Sequence, residues 1–425
     1  MSNTIKKSKS RIILMLLLAI TMLIGALMLT GCDGLLSRRR PLPLPHDEVI
    51  FLVQVSHSTR YSQNDMDNFI YDALSSSPRG VSKAIIIFGR EPILAADFSQ
   101  NASALFAQYL AAVANARQNE RFIGGTDISS ALLFASSFFA ESWQRRIVLL
   151  SNGFETDGNV IPAIMSLAAE GVTVDTVPFF NQPTDFNELQ LINIILPDHN
   201  IAIDDAVVIG AVVQSSFNGT GSLRLYNNGV FSSSMKISFR VGLETFFIEH
   251  IFESDGFNEM VIIIDNEQDT VAQNNVAISF VYIGDDNRYL DNQTALIPFS
   301  VQIMERNFRR ELRILANHEP GYVFDVMVYG PDAFRKRVYL NENLVGAFFV
   351  ERFGVYRVDI VKKARDGELI AEHRVFVAFS WSSEFDAFRD WDTGKQFLED
   401  LAHRGNGRML EESAEVWRWY EAAQR

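Results

Sequence analysis

From residue 48 onward the chain alternates two patterns. Short, almost continuously apolar runs at 49–55, 84–88, 147–150 and 172–177 suit strands buried on both faces. Between them, apolar residues recur every three or four positions, the spacing of helices with one buried face. Met66, Phe69, Ile70 and Ala73 do so in 63–74, and Leu105, Tyr109 and Leu110 in 101–116. Ile128, Leu132, Ala135, Phe138 and Phe139 do so in 127–140. A fourth helical stretch, 160–170, stops at Gly171. Strand and helix in alternation predict an α/β domain over 48–182, a mainly parallel sheet with helices on both faces.

After Asn181 the pattern shortens. Strand-like runs at 189–196, 206–214, 222–226, 235–239, 245–251, 259–264 and 276–283 are separated by turn residues. Asn227-Asn228-Gly229 supplies the positive φ angles of a tight hairpin. Seven short strands at this spacing predict an immunoglobulin-like β-sandwich over 189–285. Residues 286–320 read as a linker with strands at 296–303 and 311–316. Runs at 322–329, 335–340, 346–350, 354–361 and 373–379 predict a second sandwich-like β module over 321–381. A helical tail is expected over 394–425, with Phe397, Leu398 and Leu401 on one face and Val416, Trp417 and Tyr420 on another.

The N-terminal 40 residues stand apart. Lys6, Lys7, Lys9 and Arg11 precede an apolar run at 12–31 that ends in Leu29-Thr30-Gly31-Cys32. That end resembles a bacterial lipobox, and Cys32 is the chain's only cysteine, which marks it for lipidation. Twenty apolar residues also span about 30 Å, enough for a retained transmembrane helix. Both readings anchor the chain in a membrane and place its bulk outside the cytoplasm. A Pro-rich spacer, 41–47, follows.

Charge and motifs narrow the function. The formal net charge is −14, with basic residues concentrated around the apolar run, so no basic face for nucleic acid is expected. A single cysteine excludes an internal disulfide and a multi-cysteine zinc site. The seven histidines show no metal-ligand spacing, and nucleophile-elbow, phosphate-loop and dinucleotide fingerprints are missing. No small-molecule substrate is inferred, and the chain is expected not to be an enzyme.

Three stretches bring polar side chains to one edge of the expected sheet, where open α/β sheets hold ligands. They are Gln54-Val55-Ser56-His57-Ser58, Gly125-Thr126-Asp127 and Leu150-Ser151-Asn152-Gly153. In order and spacing they resemble the von Willebrand factor A (vWA) domain. That family carries a metal-ion-dependent adhesion site made of an Asp-x-Ser-x-Ser turn, a distant Thr and a further Asp. Ser56, Ser58 and Thr126 match its hydroxyls, while Gln54 and Asn152 stand at the two aspartate positions. Two amides in place of two carboxylates weaken a site for a hard cation such as Mg²⁺ or Mn²⁺. The resemblance therefore implies a degenerate metal site, no cofactor, and a protein partner at the sheet edge, another membrane or envelope protein. An alternative keeps the metal, with Asp127, Glu155 or Asp157 as substitute carboxylates. The domain order also resembles a group of bacterial membrane proteins with a vWA domain, an immunoglobulin-like module, a glutamine-amidotransferase-like domain and a last β module. The stretch Phe379-Ser-Trp-Ser-Ser-Glu-Phe385 carries part of that likeness, and the amidotransferase-like domain is missing here.

Overall fold

The computed structural model describes residues 47–140, 144–180, 186–197, 201–284, 299–306, 309–316, 321–331, 333–350, 353–386 and 388–423. The apolar run at 12–31 expected to anchor the chain, Cys32 and residues 41–46 of the spacer lie outside them. Among the described residues no helix is long and apolar enough to cross a membrane.

Residues 47–140 and 144–180 build an α/β layer. Its strands are β1 (Glu48–Gln54), β2 (Ser82–Phe88), β3 (Pro92–Ser99), β4 (Arg145–Ser151) and β5 (Val172–Pro178). Its helices are α1 (Gln63–Ser75), α2 (Ala102–Ala116), α3 (Ile128–Ser136) and α4 (Val160–Ala169). β1 is central and parallel to β2 and β4, with Leu52 beside Ile86 and Leu149. Its alternate residues feed two cores. Val49, Phe51 and Val53 pack toward α1 and α2, and Ile50 and Leu52 toward α3 and α4. That two-sided burial is why the run is apolar without alternation. β3 runs antiparallel to β2 at the edge of the sheet. The pattern of continuous apolar runs does not reveal it, because this edge strand is half-exposed and opens with a proline.

The sandwich expected over 189–285 has seven strands: β6 (Leu189–Ile195), β7 (Ala206–Ser215), β8 (Gly219–Asn227), β9 (Val230–Phe239), β10 (Gly242–Ile251), β11 (Gly256–Asp265) and β12 (Val276–Ile283). They form sheets β10-β7-β6 and β12-β11-β8-β9 around an apolar core that includes Ile209, Leu223 and Ile262. The β8–β9 hairpin turns at Asn228 (φ 49°) and Gly229 (φ 76°), as the Asn-Gly pair requires. The second module comprises β13 (Phe299–Arg306), β14 (Arg309–Ala316), β15 (Tyr322–Tyr329), β16 (Arg335–Val338), β17 (Val345–Phe349), β18 (Gly354–Ala364) and β19 (Leu369–Phe379). Its sheets are β13-β14-β17 and β16-β15-β18-β19. It therefore starts before 321: the stretch read as linker holds two of its strands, and β14 pairs with β17.

The C-terminal segment departs most from expectation. Helix α5 (Trp391–Arg404) packs on α4 and β5. The chain then forms β20 (Asn406–Met409), a sixth strand parallel to β5, so the sheet order is β20-β5-β4-β1-β2-β3. A wholly helical tail is thus corrected by a strand inside it. Gly405 ends the helix, Asn406 (φ 55°) redirects the chain, and Gly407 lets it pass β5, where an added Cβ would lie 2.1 Å from the Val174 carbonyl oxygen. Beyond the strand, Trp417 enters the core, its indole N–H donating to the Ala73 carbonyl at 2.9 Å. In sequence, the two β modules are insertions in an α/β domain that the chain leaves at β5 and re-enters at α5.

Candidate binding site at the sheet edge

β1 delivers Gln54 to its C-terminal end, fully buried. The turn after it is fixed by Thr59, whose Oγ1 accepts from the Ser56 N–H at 3.1 Å. Thr126 precedes α3, where Asp127 caps the helix by accepting from the Ser130 N–H at 2.8 Å. The Thr126 carbonyl accepts from the N–H groups of Thr156 and Asp157, both at 3.0 Å, which ties this turn to the loop after β4. Asn152 holds that loop with its Oδ1 on the Phe154 N–H, 3.1 Å. The three stretches read as one edge do meet.

Their hydrogen bonds form a directed network. The Gln54 Oε1 accepts from the Ser151 hydroxyl (2.6 Å) and the Asn152 N–H (3.2 Å). A backbone N–H can only donate, so this contact fixes which way the amide points. The Gln54 Nε2 therefore faces the three hydroxyls and donates to Ser56 Oγ (2.8 Å) and Thr126 Oγ1 (2.9 Å), with Ser58 Oγ at 3.5 Å. Asn152 Nδ2 donates to Ser58 Oγ at 2.7 Å.

The hydroxyl protons point to a residue that the pattern of the chain does not reveal. Glu384 arrives from the short helix Ser383–Phe385 that follows the second β module, and it is only 2% exposed. Its Oε1 accepts from the Ser58 N–H (3.0 Å) and the Ser58 hydroxyl (2.5 Å), and its Oε2 from the Thr126 hydroxyl (2.8 Å). With the Ser58 proton committed, the 3.2 Å contact between Ser56 and Ser58 has Ser56 as donor. Glu384 lies 326 residues from Ser58, a separation that motif spacing does not reach. The only signal was the stretch 379–385, noted for its likeness and given no role.

Arg117 joins the network as a cation, donating to the Ser56 carbonyl (2.8 Å) and to Gln63 Oε1 (2.7 Å). Burial, with Arg60 nearby, lowers its guanidinium to about 10, and the charges of Tyr109, Asp67 and Glu384 act the other way. It stays charged at neutral pH. His57, read as a turn residue, has its ring 4.7 Å from Phe385 and its Nε2 2.9 Å from Glu120 Oε2.

The substitute carboxylates are committed elsewhere. Asp127 caps α3, and Glu155 accepts from the N–H groups of Ser129 (3.0 Å) and Val160 (2.9 Å). Asp157 lies 3.4 Å from the Arg90 Nε. Among the described residues no group of three His, Cys, Asp or Glu is arranged to hold a metal ion. A hard cation needs converging oxygen lone pairs, but the centre of the hydroxyl trio is an amide NH₂. The donor set does not fit a divalent metal.

Residues 48–214 match the von Willebrand factor type A domain model. The matched interval ends in β7, inside the first sandwich, while the sixth strand of the α/β sheet comes from Asn406–Met409. No curated protein matches the chain. Solved structures similar to it include the conserved hypothetical protein BatB from Bacteroides thetaiotaomicron, 16% identical over 31% of this chain, with a TM-score of 0.28. An aerotolerance-related membrane protein from Bacteroides fragilis is 18% identical over 31% of this chain and 67% of its own length, TM-score 0.28. The CARDB domain of the PF1109 protein from Pyrococcus furiosus is 18% identical over 24% of this chain and 97% of its own, TM-score 0.22. The match to BatB spans 66% of that protein, just under two thirds. The α/β part of this chain lies largely within the interval matched by the vWA model and has a mixed, mostly parallel sheet, followed by antiparallel sheets.

Proposed function

We propose that the chain is a non-catalytic, membrane-anchored protein-interaction module of the vWA type, working outside the cytoplasm without a metal ion. The observation that carries this reading is the Gln54 amide, whose Nε2 lies within 2.8 and 2.9 Å of the hydroxyls of Ser56 and Thr126. Mg²⁺ or Mn²⁺ at millimolar concentration should leave the melting temperature of the wild-type chain unchanged, since a ligand that binds only the folded state must raise it. A clear rise would restore the metal-dependent adhesion reading. The anchor is tested separately: a lipid precursor should label the wild-type chain and not Cys32→Ala. Labelling of neither favours a retained transmembrane helix. The partner is an envelope protein, to be captured from native membranes with the full chain as bait. Ser56 and Thr126 are fully buried beneath Glu384, so they contact a partner only after that residue moves.

A further inference from the structure

The hydrogen bonds at the vWA edge all run one way. Gln54 donates to Ser56 and Thr126, Asn152 donates to Ser58, and Ser58 and Thr126 donate to Glu384. A cation site turns lone pairs inward, whereas this one turns protons outward. Charged acceptors gain most from such donors, and the two Glu384 oxygens receive three of them. From this geometry we infer that the edge is a metal-free carboxylate site, that Glu384 is its built-in occupant, and that a partner enters by placing an acidic side chain where Glu384 now sits.

Three further observations support a displaceable occupant. Glu384 belongs to a three-residue helix rather than to a sheet; beside its bonds to Ser58 and Thr126, its N–H donates to Ser382 Oγ at 3.1 Å, and the Phe385 carbonyl accepts from Asn274 Nδ2 at 2.8 Å. A cleft opens beside it, lined by His57, Arg60, Tyr61, Phe186, Phe385 and Trp391, with Ser58 and Glu384 in its wall. Arg60 is exposed there, a cation at the mouth that favours an approaching acidic side chain. The inference rests on the metal-free reading above and adds to it the ligand class and the device that closes the site.

Chemical rescue tests it on the full chain in detergent, with sodium acetate as the probe and sodium chloride at equal ionic strength as the control. Glu384→Ala should melt several degrees below wild type, and 50 mM acetate should recover at least half of that loss. The wild type and the double variant Glu384→Ala/Ser58→Ala should not respond. Acetate without effect on Glu384→Ala, or raising all three alike, overturns the inference. If Glu384→Ala does not fold, Glu384→Gln takes its place. It keeps the shape and removes the charge, so hydrogen exchange across 56–60 should rise about tenfold. Exchange equal to wild type overturns the inference. A response of the wild type to Mg²⁺ would instead strike the metal-free reading, and acetate rescue is read independently of it.

Discussion

Gln54 sets the polarity of the edge through one contact, the Asn152 N–H on its Oε1 at 3.2 Å. Gln54→Glu keeps the shape and reverses that polarity. It puts a second carboxylate among hydroxyls that already serve Glu384 at 2.5 and 2.8 Å. Unlike charges, like charges in a buried network cannot both be satisfied, and we expect a loss of about 2–4 kcal/mol by denaturant titration. The same variant should regain stability with Mg²⁺, which wild type should not. Thr126→Val removes one donor from a buried carboxylate and one acceptor from the Gln54 amide, and should cost about 1.5–3 kcal/mol. The polar residues from the three stretches were legible in the sequence because each lies at the end of a strongly patterned strand or helix. Glu384 was not, because a lone glutamate in Ser-Ser-Glu-Phe carries no period and its partners are set by tertiary structure.

At the scale of elements, the C-terminal segment completes the sheet by close approach. Gly153 (φ 81°) and Gly394 meet face to face: an added Cβ on Gly394 would lie 2.4 Å from the Asn152 carbonyl oxygen, and one on Gly153 2.3 Å from that of Gly394. Gly394→Ala should therefore push α5 off the loop that carries Asn152. The expected cost is about 1–3 kcal/mol, with faster hydrogen exchange in both segments. Trp417→Ala should cost about 3–5 kcal/mol, because the ring is 3% exposed and packs edge-on to Phe51. A chain ending at 386 should lose α5 and β20, bare the edge of β5 and aggregate; a monodisperse product would contradict this topology. Apart from the edge strand β3, the main strands and helices from 48 to 178 follow closely from apolar periodicity, as do the seven strands of the next module. β20 did not, since Asn-Gly-Arg-Met has no strand pattern and becomes a strand only against β5.

Across the whole molecule, residues 380–386 join all three parts. Ser380 Oγ accepts from the Ile278 N–H at 2.9 Å, Arg310 lies over the Trp381 ring at 5.2 Å, and Glu384 enters the vWA edge. The adjoining junction holds Glu188, fully buried, with its Oε1 accepting from Asn274 Nδ2 at 2.7 Å. Burial foremost, then the charges of Asp269 and Asp386, raise its carboxyl to about 8. Asp269 is raised too, by its own burial. The folded chain then holds a proton that the unfolded chain releases near pH 4.5. This contribution is complete below that pH and is lost as pH rises toward 8. Melting temperature should fall by about 1–2 °C per pH unit across that window, and Glu188→Gln should flatten the slope. The succession of strand-rich stretches was readable from the sequence, but the packing of residues 380–386 against three parts of the fold was not, because it depends on contacts 71 to 326 residues apart. The Ser58 N–H reports on the closed edge most directly, through its bond to Glu384 Oε1 at 3.0 Å. Its hydrogen-exchange rate in the full chain should rise at least tenfold in Glu384→Ala and fall again when acetate is added; an unchanged rate would contradict a site closed by Glu384.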